Sequence, residues 1–278
     1  MDPSPQSPPP TAATAGAGPL AGHDGVMPPS RWSRGPAQVA AWLLVVGLAA
    51  ALCALLFVKL APQTDFSGVW EYRRLLWQGW RQTVLAAMLA LALSAVLAVV
   101  WCACALGPVK ALRALALAAT ELLRGTPLLV QLLLGFYVLA DALGWDSRIA
   151  VGIGLLALHN SVYLGEMLRG GIQSVAATQR EAALAVGFNR RQAYRFVILP
   201  QALRRVLPGM AGQSVNLVKD SSLLSVIGVM EFTKQAQTAN SLTYSSFEAY
   251  LPLALGYLIL TLPLSFWTRS LERRLATD

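Results

Sequence analysis

Three stretches of this chain, 39–58, 83–107 and 249–268, each run for at least twenty residues without a charged side chain. About 20 apolar residues in a helix are enough to cross the ~30 Å hydrocarbon core of a bilayer. In that medium every backbone N–H and C=O must be paired internally, which leaves only helices or closed barrels. Shorter apolar runs at 125–140, 149–165 and 206–218 carry polar residues at their edges. Only 13% of the residues are charged and 55% are hydrophobic, against roughly 25% charged in a soluble domain. The chain therefore reads as an all-α, multi-spanning membrane protein.

The first 38 residues are of a different material. Nine of the sixteen prolines lie there, among alanine, glycine and serine with no apolar period. Such a composition cannot bury a core and is expected to be disordered. The tail is too long, and the following run too extended, for a secretory signal. Residues 39–61 are thus expected to be a retained accessory span. The cysteines, Cys53, Cys102 and Cys104, all sit inside apolar runs. Cys102 and Cys104 point about 200° apart on a helix, which makes them poor metal or disulfide partners and small buried hydrophobes instead.

Arginine and lysine in short loops set orientation. With the N-terminus in the cytoplasm, fifteen basic residues fall inside and five (Lys59, Arg73, Arg74, Arg81, Arg148) outside, with Lys219 and Lys234 ambiguous. That asymmetry favours six spans with both termini cytoplasmic. Arg73, Arg74 and Arg81 lie among Trp70, Tyr72, Trp77 and Trp80, so 62–81 is expected to be an interfacial segment on the outer face.

The stretch "EAALAVGFNRRQAYRFVILP" (181–200) is polar and basic between greasy neighbours. Thr178 and Glu181 have the spacing of an S/T-x-x-E capping box, which predicts a helix from about Gln179. Gly187 supplies a stop. Asn189 can cap a second helix that Pro200 interrupts. The expected product is helix, glycine turn, helix on the inner membrane surface, over 172–200. By shape alone it serves equally well as an anchor on anionic lipid.

Glu181-Ala182-Ala183, Gly187 and Leu199-Pro200 resemble the EAA loop of ABC importer permeases: E-A-A, three residues, G, and the proline of L-P thirteen further on. In that family the loop sits in a groove of a separate ATP-binding subunit. "ELLRGTPLLVQ" (121–131), "NSVYLGEMLRGG" (160–171) and "KDSSLLSVIGVMEFTKQAQ" (219–237) are similar, in the same order, to the polar amino-acid, histidine/glutamine-type branch. The resemblance covers about 80 to the C-terminus. It implies a five-helix permease core (82–278) with one extra N-terminal span. It also implies a bacterial inner-membrane location and no cofactor. The implied partners are a cytoplasmic ATP-binding subunit, a periplasmic amino-acid-binding protein and a second permease subunit, identical or sister. Nucleic acid is not among them. His159 departs from the apolar or small residue expected there.

The residues agree with what the resemblance implies. Lys59, Lys110, Lys219 and Lys234 follow Val, Val, Val and Thr, so no G-K-S/T phosphate loop exists and energy must come from a partner. A secondary transporter would often carry internal repeats, and neither half repeats the other. A membrane enzyme would need a catalytic constellation, yet the histidines are only His23 and His159, with no HExxH.

Polar residues inside spans face a cavity or a neighbouring helix. The candidates are Gln131, Asn160, Ser161, Tyr163, Glu166, Gln213, Asn216 and Asp220. His159, Tyr163, Glu166 and Gly170 share one helical face, and Gln213, Asn216 and Asp220 another. The two faces can line a pocket for a zwitterion, or the residues can serve as interhelical glue. Glu166 has Arg169 and Arg124 as possible partners, and Lys219 and Asp220 can neutralise each other.

Overall fold

A computed structural model of the protein describes residues 65–275 and ten helical positions between 43 and 59. The expectation for the tail, 1–38, and most of that for the accessory span, 39–61, lie outside the described residues. The chain divides into two units, 1–63 and 64–278, and the second carries everything below.

Among the described residues the second unit contains helices and no strand. They are α1 (Phe66–Glu71), α2 (Arg73–Leu106), α3 (Lys110–Gly125), α4 (Leu128–Leu134) with a π-helical continuation (Gly135–Ala140), and α5 (Arg148–Gln173). Then come α6 (Ala177–Ala185), α7 (Arg190–Ala193) running through a π segment (Tyr194–Ile198) into α8 (Leu199–Asp220), a 3-10 stretch (Ser221–Ile227), α9 (Phe232–Thr243) and α10 (Ser246–Leu275). Helices α2, α5 and α10 are each long and apolar enough to cross a membrane, and the bent pair of α3 with α4 and its continuation adds up to one more.

Helix α2 is unbroken from Arg73, so the second half of the expected interfacial segment, 62–81, forms its first turns. At 34 residues it is about 51 Å long, which exceeds the ~30 Å hydrocarbon core. Only α1, N-capped by Asp65, stands apart. The Asp65 side chain accepts from the Ser67 amide and hydroxyl, each at 2.8 Å.

The core is built on close approach of α2 and α5, the most extensive helix pair. Lipid tails are as apolar as leucine, so nothing drives helices together in a membrane except packing and hydrogen bonds, and small residues let backbones come near. Helix α2 buries Thr83, Ala86, Ala87, Ala90, Ser94, Ala98, Cys102 and Ala105, a stripe at three- and four-residue steps. Against it α5 sets Leu156, Ala157, Leu164 and Gly165. A Cβ on Gly165 would lie 3.2 Å from the Ala98 carbonyl oxygen and 3.1 Å from Trp101 Cβ. Outward, α2 exposes Leu85, Met88, Leu89, Val96 and Val99, the surface a lipid-facing helix presents.

Helix α3 was not foreseen in the loop between the second and third runs. It is tied to α2 by the Trp101 indole N–H, which donates to Thr120 Oγ1 at 2.8 Å. It meets α4 at a bend of 106°. The cause is Pro127, which restricts the preceding residue to extended geometry; Thr126 accordingly lies at φ −111°, ψ 140°.

Candidate functional site

The surface loop comes first. Helix α6 ends in a Schellman arrangement: Phe188 N–H donates to Ala183 O and Gly187 N–H to Leu184 O, both at 3.0 Å. Closing those two bonds requires a left-handed residue, and Gly187 lies at φ +92°. Asn189 then caps α7 as the sequence suggests, with Gln192 N–H donating to Asn189 Oδ1 and Asn189 N–H to Gln192 Oε1, each at 2.9 Å. Helix α6 packs on α7 and its π continuation, with Ala183 and Ala193 buried. Phe188 and Phe196 close the turn at a ring separation of 6.3 Å.

Two local expectations need correction. The Thr178–Glu181 capping box does not form. Ala176 takes the N-cap position at φ −55°, ψ 139° and α6 starts at Ala177. Thr178 is thereby inside the first turn, where helical geometry keeps its hydroxyl from capping. The Glu181 carboxylate is left exposed, without a hydrogen bond or ion pair to any described residue. Nor does Pro200 interrupt the second helix. The π segment Tyr194–Ile198 immediately precedes it, and Pro200 falls at the first positions of α8, where a missing N–H is tolerated. Helix runs from Arg190 to Asp220 in three registers.

The polar residues of the spans fall into three groups. Asn160 and Ser161 face inward and are buried. Asn160 Nδ2 donates to Ser94 Oγ across the α2–α5 contact at 2.9 Å, while Ser161 Oγ donates to Leu158 O at 2.7 Å. Asn160 Oδ1 is buried and has no hydrogen-bond partner among the described residues.

The second group forms a strip along α5. Gln131 Nε2 donates to Leu123 O (2.6 Å), Thr126 O (3.0 Å) and Thr126 Oγ1 (2.8 Å), which locks α4 onto the α3 bend. Because acceptors occupy the amide nitrogen, its Oε1 must face His159 Nδ1, 3.0 Å away. His159 is therefore assigned the tautomer with the proton on Nδ1. One turn on, its ring lies 5.1 Å from that of Tyr163, and the Arg124 guanidinium sits 5.6 Å from the Tyr163 ring centre. Glu166 and Arg169 then make a two-pronged ion pair, Nε to Oε1 at 2.9 Å and Nη2 to Oε2 at 2.6 Å. Of the two partners the sequence offered, Glu166 takes Arg169.

The third group lies on α8. Asn216 Nδ2 donates to Gln213 Oε1 at 3.3 Å, with Asn216 exposed and Gln213 and Asp220 half-buried. Lys219 makes no ion pair with Asp220; the Glu166–Arg169 bridge is the only ion pair among the described residues. No hydrogen bond among the described residues joins the α5 strip to the α8 face.

One cluster was missed. Glu231 is fully buried and N-caps α9 by accepting from Thr233 N and Lys234 N at 2.9 Å each. It also accepts from Thr83 Oγ1 of α2 (3.2 Å) and Tyr257 OH of α10 (3.1 Å). The available signal was a lone carboxylate inside the apolar run "SVIGVMEF".

Comparison with known proteins fits this architecture. Residues 91–277 match the family described as binding-protein-dependent transport system inner membrane component. A probable glutamine ABC transporter permease protein of Bacillus subtilis is 38% identical over 197 residues, which is 71% of this chain and 91% of that one. A glutamine transport system permease protein of Escherichia coli K12 is 36% identical over 225 residues, 77% of this chain and 98% of its own. A crystal structure of an amino acid ABC transporter with histidines superposes with a TM-score of 0.70 at 34% identity, over 76% of this chain and 99% of that one. The EAA-type hairpin, the polar strips and the helical core thus belong together: this chain is a member of the binding-protein-dependent transport system inner membrane component family.

Proposed function

We propose that this chain is the permease subunit of an ABC importer that carries a polar amino acid inward. A separate cytoplasmic subunit hydrolyses ATP, and a periplasmic binding protein delivers the substrate. The observation that carries the reading is the α6–α7 hairpin. It is polar and exposed, held by the Schellman bonds and the Asn189–Gln192 box, and it leaves the Glu181 carboxylate without a partner among the described residues. A rigid hairpin with a free charge is what a docking element needs in order to transmit motion. Glu181, Ala182, Ala183, Gly187, Leu199 and Pro200 are its contact and hinge positions.

The relatives' names, glutamine and arginine permeases, support an amino-acid substrate. The path is assigned to Gln131, Tyr163, Glu166, Gln213, Asn216 and Asp220, with Asn160 and Ser161 behind them. No hydrogen bond among the described residues joins the α5 and α8 faces, and a second permease subunit, identical or sister, completes the cavity. The chain lies in a bacterial inner membrane with both termini cytoplasmic. Residues 1–38 form a tail, 39–61 an accessory span, and 82–278 the transport core.

The test is purification with the ATPase and binding protein in proteoliposomes, followed by hydrolysis and uptake across an amino-acid panel. ATP hydrolysis stimulated by one or a few polar amino acids, with uptake of the same ones, is the expected result. Uptake that persists without the ATPase subunit overturns the proposal.

A further inference from the structure

The α6–α7 hairpin has a second face. Between the end of α5 and the hairpin lies a cleft of about 790 Å³. Ile172, Val175 and Leu184 supply apolar wall, and Arg180, Arg190 and Tyr194 line it with polar ends. Neither Arg180 nor Arg190 makes a hydrogen bond or ion pair with any described residue, and both are exposed. Arg205 is engaged elsewhere, donating from Nη1 to Ser174 O at 2.6 Å and so closing the carbonyl end of α5. Between 177 and 205 there are six arginines and one acidic residue, Glu181. Glu181 does not line the cleft. Helix α6 turns Ala177, Arg180 and Leu184 into the cleft at i, i+3 and i+7, and Glu181 and Ala182 toward other faces.

Two free guanidinium forks beside an apolar wall fit an amphiphile with an anionic oxygen head, since arginine binds phosphate through paired N–H donors. We propose that this cleft binds an anionic phospholipid of the inner leaflet, its phosphate between Arg180 and Arg190 and its acyl chain along Ile172, Val175 and Leu184. The inference rests on the reading that the hairpin lies at the cytoplasmic membrane surface, where anionic lipid attracts basic side chains. The lipid occupies a face of α6 distinct from the one that presents Glu181, so it ties the hairpin to the membrane while the other face remains open to a partner.

The experiment uses the full-length permease with its ATPase subunits in nanodiscs of phosphatidylcholine, titrated with phosphatidylglycerol and read by native mass spectrometry. The parent complex is expected to retain phosphatidylglycerol. Arg180→Gln with Arg190→Gln lowers its affinity about thirtyfold, the factor that ~1 kcal/mol per basic residue gives for two. The pair Arg180→Lys with Arg190→Lys keeps part of the affinity. The pair Lys110→Gln with Arg113→Gln, equal in charge lost, leaves it at the parental value. Parental lipid retention in the glutamine pair overturns the proposal, as does an equal loss in the Lys110/Arg113 pair. Release of ATPase subunits from the glutamine pair in pure phosphatidylcholine assigns the cleft to a protein contact, and binding of inorganic phosphate as tight as the lipid removes the role of the acyl chain; either outcome also overturns it. Lipid retention needs no transport, so a failed uptake assay would count against the permease reading and not against the cleft.

Discussion

Replacing Gly187 by valine probes the hairpin at its sharpest constraint. The residue lies at φ +92°, a region that costs a residue with a Cβ roughly 1–2 kcal/mol and a β-branched one more. No heavy atom lies within 4 Å of the place a Cβ would occupy, so the cost is torsional and involves no clash. If the backbone escapes to negative φ instead, the bonds from Phe188 N–H to Ala183 O and from Gly187 N–H to Leu184 O go, each contributing about 1 kcal/mol net. Either route costs about 2 kcal/mol. That is small against a typical folding stability of roughly 5–15 kcal/mol, so the variant inserts. It nevertheless depletes the native hairpin more than tenfold relative to a relaxed one, at about 1.4 kcal/mol per decade. Gly187→Val complexes are expected to lose ATPase subunits on washing, or to hydrolyse ATP without responding to substrate. Gly187→Asn, which tolerates positive φ, should keep most of the coupling. Copurification and substrate-stimulated hydrolysis in proteoliposomes measure both. Full substrate-coupled hydrolysis and uptake in Gly187→Val would refute the assignment of the hairpin to force transmission.

Other substitutions separate docking, path and scaffold. Glu181→Ala should insert normally yet lose transport and retain less ATPase subunit; parental copurification together with parental uptake would count against a docking role. Glu231→Ala strands the Thr233 and Lys234 amides and the Thr83 and Tyr257 hydroxyls, and should destabilise the detergent-solubilised protein by about 3 kcal/mol or more. A thermal-unfolding midpoint equal to the parent's would show that the cluster holds nothing together. Asn160→Leu and Asn216→Leu should each change substrate-stimulated hydrolysis more than Cys102→Ala does; equal behaviour of all three would remove both asparagines from the path.

The parts of this fold legible in the sequence are those fixed by local chemistry. The uncharged runs 83–107 and 249–268 named α2 and α10, and Asn189 named the cap of α7. Gly187 named the turn because only glycine takes positive φ without strain. Thr178 misled because an S/T-x-x-E spacing says nothing about the residue before it, and extended Ala176 is what starts α6. Pro200 misled because a proline breaks a helix only where its N–H is needed, and the π turn before it removes that need. Long-range pairings were the least visible. Asn160 with Ser94, Gln131 with His159, and Glu231 with Thr83 and Tyr257 span 26 to 148 residues of sequence. Spacing within a single helix cannot reveal them. The polar residues of the spans were nameable as polar groups inside apolar runs, but which of them bond inward and which stay open depends on the neighbouring helix.

The π segment Tyr194–Ile198 acts as a phase shifter between the hairpin and the polar face of α8. A π turn holds one more residue than an α turn, and each residue of an α-helix advances the azimuth by about 100°. The compass bearing of Gln213, Asn216 and Asp220 relative to α7 is therefore set by that single surplus residue. Letting all five residues 194–198 relax to α geometry, with no residue removed, would leave composition, hydropathy and length untouched. The surplus residue would then add its own ~100° and swing the whole polar face of α8 by about a quarter turn, out of alignment with the α5 strip.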